Sequence, residues 1–211
     1  GGHVFAKNKG GNYMRTKTTP SNPQTSYQSD VRAMFATISQ AWGGLTEVQR
    51  ASFRDKVVEY SRTNIFGDLK NPTGKALFQR LNQNLTLTSQ ANLTIAPSPA
   101  PIGDAGYNSA TFNVANSTFY VNLPGESEGD KLMIFATPKL SQGTKFVKNK
   151  LRLLEVAAGV SGGEVDIATS YTARFGALTV GDNVYIAVKS INSVGGNSPL
   201  LTLKATIVAG V

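Results

Sequence analysis

A single histidine, His3, and the absence of cysteine limit the chemistry open to this chain of 211 residues. Ser-His-Asp and Cys-His nucleophile systems, His-based zinc sites and His-centred acid–base pairs lack their material, and disulfides are excluded. The densest carboxylate group is Glu126, Glu128 and Asp130, within Pro124-Gly125-Glu126-Ser127-Glu128-Gly129-Asp130. Calcium takes about six to eight oxygen ligands, and the same spacing describes a solvated turn between two strands, so we read a turn. Gly74-Lys75 lacks the earlier glycine of a phosphate loop, and Ala76 stands where a hydroxyl is needed. Gly159-Val160-Ser161-Gly162-Gly163 has no helix pattern after it, as a dinucleotide fingerprint requires. The reading is of a non-enzyme with no cofactor and no metal.

What remains is charge. The first twenty-nine residues hold Lys7, Lys9, Arg15 and Lys17 and no Asp or Glu. Gly1, Gly2, Gly10, Gly11, Pro20 and Pro23 are set among them, so residues 1–21 lack the apolar density to bury themselves and are expected as an extended basic arm. An arm of this kind needs a surface outside its own domain. The asymmetry continues: residues 1–96 carry twelve Lys and Arg against five Asp and Glu, and residues 97–211 carry nine against eight, so nearly all of the net charge of +8 lies in the N-terminal half. An acidic partner surface or nucleic acid is the complementary class. Tyr13 beside Arg15, with Lys17 near, can stack on bases or anchor in an apolar pocket of a neighbouring subunit. The anchor is favoured, because a stacking platform usually needs several aromatics. The interaction set is therefore Lys7, Lys9, Tyr13, Arg15 and Lys17. No apolar run approaches the roughly 20 residues of a membrane span, and no membrane partner is expected.

The elements behind the arm divide in two. Asn22-Pro23 reads as a helix start, and Tyr27, Val31, Phe35, Ile38 and Trp42 recur at helical spacing until Gly43-Gly44. Thr46-Glu47-Val48-Gln49 has the capping-box form, followed by Phe53, Val57 and Tyr60 on one stripe. Asn71-Pro72-Thr73 opens a third helix with Leu77, Leu81 and Leu85 on its face. Residues 22–95 are thus expected as a three-helix module. The arginines on these helices, Arg32, Arg50, Arg54, Arg62 and Arg80, read as mostly solvated faces. Residues 96–103, with three prolines and no charge, read as a linker. Beyond it the period falls to two. Phe119 to Leu123, Lys131 to Thr137, Leu151 to Val156, Val165 to Ile167, Tyr171 to Phe175, Val184 to Val188 and Leu201 to Val208 are candidate strands. About seven short strands between glycine-rich turns predict an antiparallel β-sandwich over 104–211. The fold class is α+β and multidomain.

Two resemblances follow from particular residues. Gly181-Asp182-Asn183-Val184-Tyr185-Ile186-Ala187-Val188-Lys189-Ser190-Ile191-Asn192-Ser193-Val194-Gly195-Gly196-Asn197-Ser198-Pro199 resembles the last hairpin of fibronectin type III domains, which implies an Ig/fibronectin-like architecture and no particular function. It departs from that family in one respect, since alternation places Val184, Ile186 and Val188 inside and Tyr185 outside. In the N-terminal half, Gly11-Asn12-Tyr13-Met14-Arg15, Asn22-Pro23-Gln24-Thr25, Gln28, Arg32, Phe35, Trp42, Leu45-Thr46 and Gln49-Arg50 resemble a poorly characterised group of tailed-bacteriophage virion structural proteins. The resemblance implies a particle component, multi-copy and located in the virion, whose partners are neighbouring capsid or connector subunits. A capsid auxiliary or decoration protein is the first position. A head–tail connector or tail component is the next, a DNA-binding or packaging protein using the basic half is the alternative class, and a glycan-binding use of the sandwich loops is a third.

Overall fold

The computed structural model describes residues 2–8, 11–19, 21–64, 66–102, 108–123, 130–158 and 163–209. Strand β1 (His3–Asn8) pairs antiparallel with β2 (Gly11–Thr16) in full register from His3↔Thr16 to Asn8↔Gly11. Where an extended arm is expected, residues 3–16 therefore form a hairpin. Helix α1 (Ser26–Gly44) follows. It starts three residues beyond Pro23, because Thr25 does the capping: its carbonyl accepts from Ser29 N at 3.0 Å and its Oγ1 from Gln28 N at 3.3 Å. Asn22 instead accepts a bond from Arg32 through Oδ1, at 3.0 Å. The chain forms two compact units, residues 1–33 and 34–211.

In the larger unit, α2 (Glu47–Asp55) opens with the expected capping box: Gln49 N donates to Thr46 Oγ1 at 3.3 Å and Thr46 N to Gln49 Oε1 at 2.8 Å. A 3-10 turn, Lys56–Tyr60, and a short antiparallel pair, β3 (Arg62–Thr63) with β4 (Leu69–Lys70), lead to α3 (Gly74–Leu87), capped by Thr73. Leu77, Leu81 and Leu85 are fully buried, as their spacing predicts. Gly74 is needed for close approach and not for phosphate: a Cβ there would lie 3.1 Å from the backbone N of Arg54. The helical core contains Ile38, Leu45, Phe53, Leu77, Phe78 and Leu81. Trp42, Phe53 and Phe78 form a ring cluster with centroids 5.2–6.0 Å apart, the edge-to-face range that aromatic quadrupoles favour.

The remaining strands are β5 (Ser109–Asn113), β6 (Thr118–Leu123), β7 (Lys131–Ala136), β8 (Arg152–Ala158) and β9 (Gly163–Asp166), then helix α4 (Ala168–Phe175), then β10 (Tyr185–Ile191), β11 (Leu201–Lys204) and β12 (Thr206–Val208). They make two four-stranded sheets, ordered β11-β10-β7-β8 and β12-β5-β6-β9. One core lies between their buried residues, with Phe112, Phe119 and Val121 from one sheet and Leu132, Ile134, Ile186 and Val188 from the other. The fold is α+β.

Two expectations are corrected here. Residues 171–175 are helical and not a strand: Asp166 Oδ1 accepts from Ala168 N at 2.9 Å, and Tyr171 and Phe175 meet at 5.2 Å across one helical turn. In addition, the sheets are not wholly antiparallel, since β12 runs parallel to β5. Buried Ala205, with its N bonded to Val184 O at 2.9 Å, carries the chain between β11 and β12 and so from one sheet to the other.

The proline-rich stretch 96–102 is held on both sides. Ala96 N donates to Ser52 Oγ at 3.1 Å, Tyr60 Oη to Pro97 O at 3.1 Å, and Asn192 Nδ2 to Ala100 O at 3.4 Å. The helices also meet the sheets directly. Buried Asn84 Nδ2 donates to Gly195 O at 2.8 Å, within the compact unit of residues 34–211.

Candidate interaction surface

Hairpin β1–β2 carries the residues singled out from the sequence. Residues directly opposite across an antiparallel pair share a face, so Phe5↔Met14 and Lys7↔Asn12 lie on one face and Val4↔Arg15 and Ala6↔Tyr13 on the other. Lys17 stands just past the ladder, with its N bonded to Gly2 O at 2.9 Å. Tyr13 and Arg15 therefore sit together, as their spacing suggests, and Lys7 is on the opposite face. Lys9 lies outside the described residues. Lys7, Arg15 and Lys17 make no side-chain hydrogen bond or ion pair among the described residues.

The apolar part of this surface was not legible as such in the sequence. Phe5 is 79 % exposed and Met14 57 %, directly opposed, and Tyr13 is 43 % exposed on the other side. Phe5, Ala6, Lys7, Asn12, Tyr13 and Met14 line a shallow open groove. A two-stranded hairpin alone in water is marginally stable, and Phe5 and Met14 leave their area unburied. The missed signal is Asn8-Lys9-Gly10-Gly11 at the junction of the two six-residue segments 3–8 and 11–16, which is the composition of a hairpin turn. Gly11, at φ +111°, occupies backbone space that side-chain-bearing residues avoid.

Three of the helix arginines, Arg32, Arg50 and Arg54, have hydrogen-bond partners. Arg50 donates to Gly43 O at 2.7 Å and Trp42 O at 3.3 Å, satisfying carbonyls at the end of α1. Arg54 pairs with Glu47, whose carboxyl is held below its ordinary range by that hydrogen bond first and by the charge of Arg54 next. Glu126 and Glu128 lie outside the described residues; Asp130 is buried and accepts from Ser190 Oγ at 3.1 Å. Among the described residues no group of three or more His, Cys, Asp or Glu is placed to hold a metal ion, and no helix is long and apolar enough to cross a membrane.

No protein-family model, no curated protein and no solved structure matches this chain.

Proposed function

We propose that this chain is a non-enzymatic structural component of a phage particle, a capsid auxiliary protein attached to a neighbouring subunit through hairpin β1–β2. The carrying observation is the exposed Phe5–Met14 pair on a hairpin whose described cations Lys7, Arg15 and Lys17 are unpaired. Burying a phenylalanine contributes about 1.5–3 kcal/mol, and interface anchors are typically aromatic residues and arginines seated in pockets. Within the larger unit, the strand order supports an Ig/fibronectin-like sandwich: apart from the added parallel edge strand β12, β5, β6 and β9 share one sheet while β7, β8, β10 and β11 share the other, a two-sheet division of the kind such sandwiches have.

The test is incorporation into particles, or capture by the purified partner subunit, for the parent, a variant without residues 1–17, Phe5→Ala, Lys7→Ala and Arg15→Ala. Phe5→Ala should weaken attachment about tenfold or more, since about 1.4 kcal/mol is a factor of ten, and deletion should abolish it. Arg15→Ala should cost more than Lys7→Ala, because guanidinium pairs in a bidentate way. Equal incorporation of all variants would remove the hairpin from attachment. Salt separates the DNA-binding alternative: phosphate neutralisation makes log K fall by about 0.9 per contact with log salt, whereas an apolar anchor is nearly insensitive to it.

A further inference from the structure

We propose that Arg62 and Arg80 form an anion site for a phosphate group, in a cavity of about 200 Å³ bounded by Tyr60 and by the Gly195-Gly196-Asn197 turn. The site brings together four parts of the larger unit: the end of the 3-10 turn with β3, the middle of α3, the proline-rich stretch at Pro99, Ala100 and Ile102, and the turn between β10 and β11. Each is fixed by contacts of its own. Asn192 Oδ1 accepts from Gly196 N at 2.8 Å and from Val194 N at 3.2 Å, and Asn84 Nδ2 holds Gly195 O. A Cβ on Gly196 would lie 3.1 Å from both Asn192 and Ile102, so the turn is close-packed beneath the cavity.

Among the described residues the two cations of the cavity have no anionic partner. Arg80 Cζ sits 5.4 Å from the Tyr60 ring centroid, a cation–π contact that holds the guanidinium in place without neutralising it. Among the described residues neither Arg62, Arg80 nor Lys189 makes an ion pair or side-chain hydrogen bond. Glu59 also borders the cavity, but its Oε1 is engaged by Lys56 Nζ at 2.6 Å. Half-buried Arg80 is held below its ordinary value by burial first and by Arg62 next, and Lys189 by burial and then by the same Arg62. Arg62 therefore repels both Arg80, with which it lines the cavity, and Lys189, which lies outside the cavity lining. Partly buried like charges are costly unless an anion is bound. Two planar guanidinium forks facing one cavity match a multiply charged oxyanion with several acceptor oxygens, which is a phosphate and not a single carboxylate.

The experiment is a titration at constant ionic strength with inorganic phosphate, read by thermal midpoint and by calorimetry, for the parent, Arg62→Gln, Arg80→Gln and the double variant. In chloride alone the exposed Arg62→Gln should match or exceed the parent, because it relieves repulsion. In phosphate the order should reverse: the parent midpoint rises with phosphate concentration, each single variant binds about tenfold more weakly, as loss of a charge-assisted hydrogen bond implies, and the double variant shows no specific shift. If Arg80→Gln fails to fold, Arg62→Gln alone decides. An equal phosphate shift in the parent and Arg62→Gln would be the general effect of an excluded salt and would overturn the site, as would no binding by the parent. A second arm separates the sources of the phosphate: an oligonucleotide with a 5′-terminal phosphate is compared with the same oligonucleotide lacking it. Arg62-dependent binding of only the first, displaced by inorganic phosphate, assigns a phosphoester; binding of inorganic phosphate alone assigns the free ion.

Discussion

Gly195 brings the turn between β10 and β11 against the backbone of α3. Its φ is +76°, and a Cβ built there would lie 2.5 Å from the carbonyl oxygen of Leu81, in the middle of buried α3. Gly195→Ala therefore has two costs. A left-handed conformation costs a residue with a side chain roughly 1–2 kcal/mol. Forcing a methyl against helix backbone that cannot rotate away adds the overpacking penalty of about 1–3 kcal/mol. The sum, about 2–5 kcal/mol, is a large part of the roughly 5–15 kcal/mol that holds an ordinary domain folded. Urea denaturation is the assay, followed at once by the fluorescence of Trp42, the one tryptophan, which reports the helical core, and by the sheet signal in far-UV circular dichroism. With slopes of about 1–3 kcal/mol per molar urea, both curves should move by roughly 1–2 M or more, and together. A shift below about 1 kcal/mol would refute the close contact. A sheet curve that moved while the Trp42 curve stayed would show that the helices and sheets unfold as separate domains.

Asn84→Ala leaves the Gly195 carbonyl without its buried partner and should cost about 1–3 kcal/mol, read on the same urea curves; a change under about 0.5 kcal/mol would mean the bond contributes nothing net. Trp42→Ala should cost about 2–3 kcal/mol, below the roughly 3–5 kcal/mol of a fully buried aromatic, because Trp42 only partly enters the Phe53–Phe78 cluster; a loss above about 5 kcal/mol would contradict that placement. Asp182 is held below the ordinary carboxylate range, first by the hydrogen bond from Lys139 at 2.7 Å and then by Thr179. A carboxyl lowered in the folded state stabilises above its unfolded value of about 4 and loses that contribution as pH falls through its folded value. Asp182→Asn should therefore be less stable than the parent at pH 7, with the gap closing on acidification below about pH 4; a gap constant from pH 7 to pH 2 would exclude the linkage.

Local chemistry was legible in the sequence. Thr46 and Gln49 cap one helix reciprocally because the capping box needs only residues three apart, and Leu77, Leu81 and Leu85 line one face because helical spacing alone decides it. Strands β6, β7, β8 and β10 lie where two-residue alternation or an apolar run marks them. The failures fall where the deciding partner is distant or the segment is short. Over 171–175, spacing by two and by four both bring Tyr171 and Phe175 to one side, so the helix was decided by Asp166 at its start and by contact with Phe119 at 5.4 Å. Strand β5 has only Ala110 and Phe112 as apolar residues and needs β6 and β12 on either side. The direction of β12 depends on the crossing at Ala205 between sheets, which no period encodes.

The two candidate sites differ in the same way. Four cations without an acid near the N-terminus are visible in composition whatever the backbone does. The face that they share is not, because it depends on register. Read as an extended arm, Phe5 is the middle of a short apolar run, Val4-Phe5-Ala6, with no partner in sight; paired with Met14 across β1 and β2 it becomes half of an exposed apolar contact flanked by Lys7. A single-residue slip of that register would set Phe5 opposite Tyr13 or Arg15 and redistribute both faces. The Arg62 and Arg80 cavity lies further from sequence, since the two arginines are eighteen positions apart and the turn beneath them is more than a hundred residues on. On the helix stripe Arg80 reads as a solvated position. It becomes a candidate ligand only because Tyr60 stacks on it and the Gly195 turn, admitted to Leu81 by having no side chain, closes the space beside it.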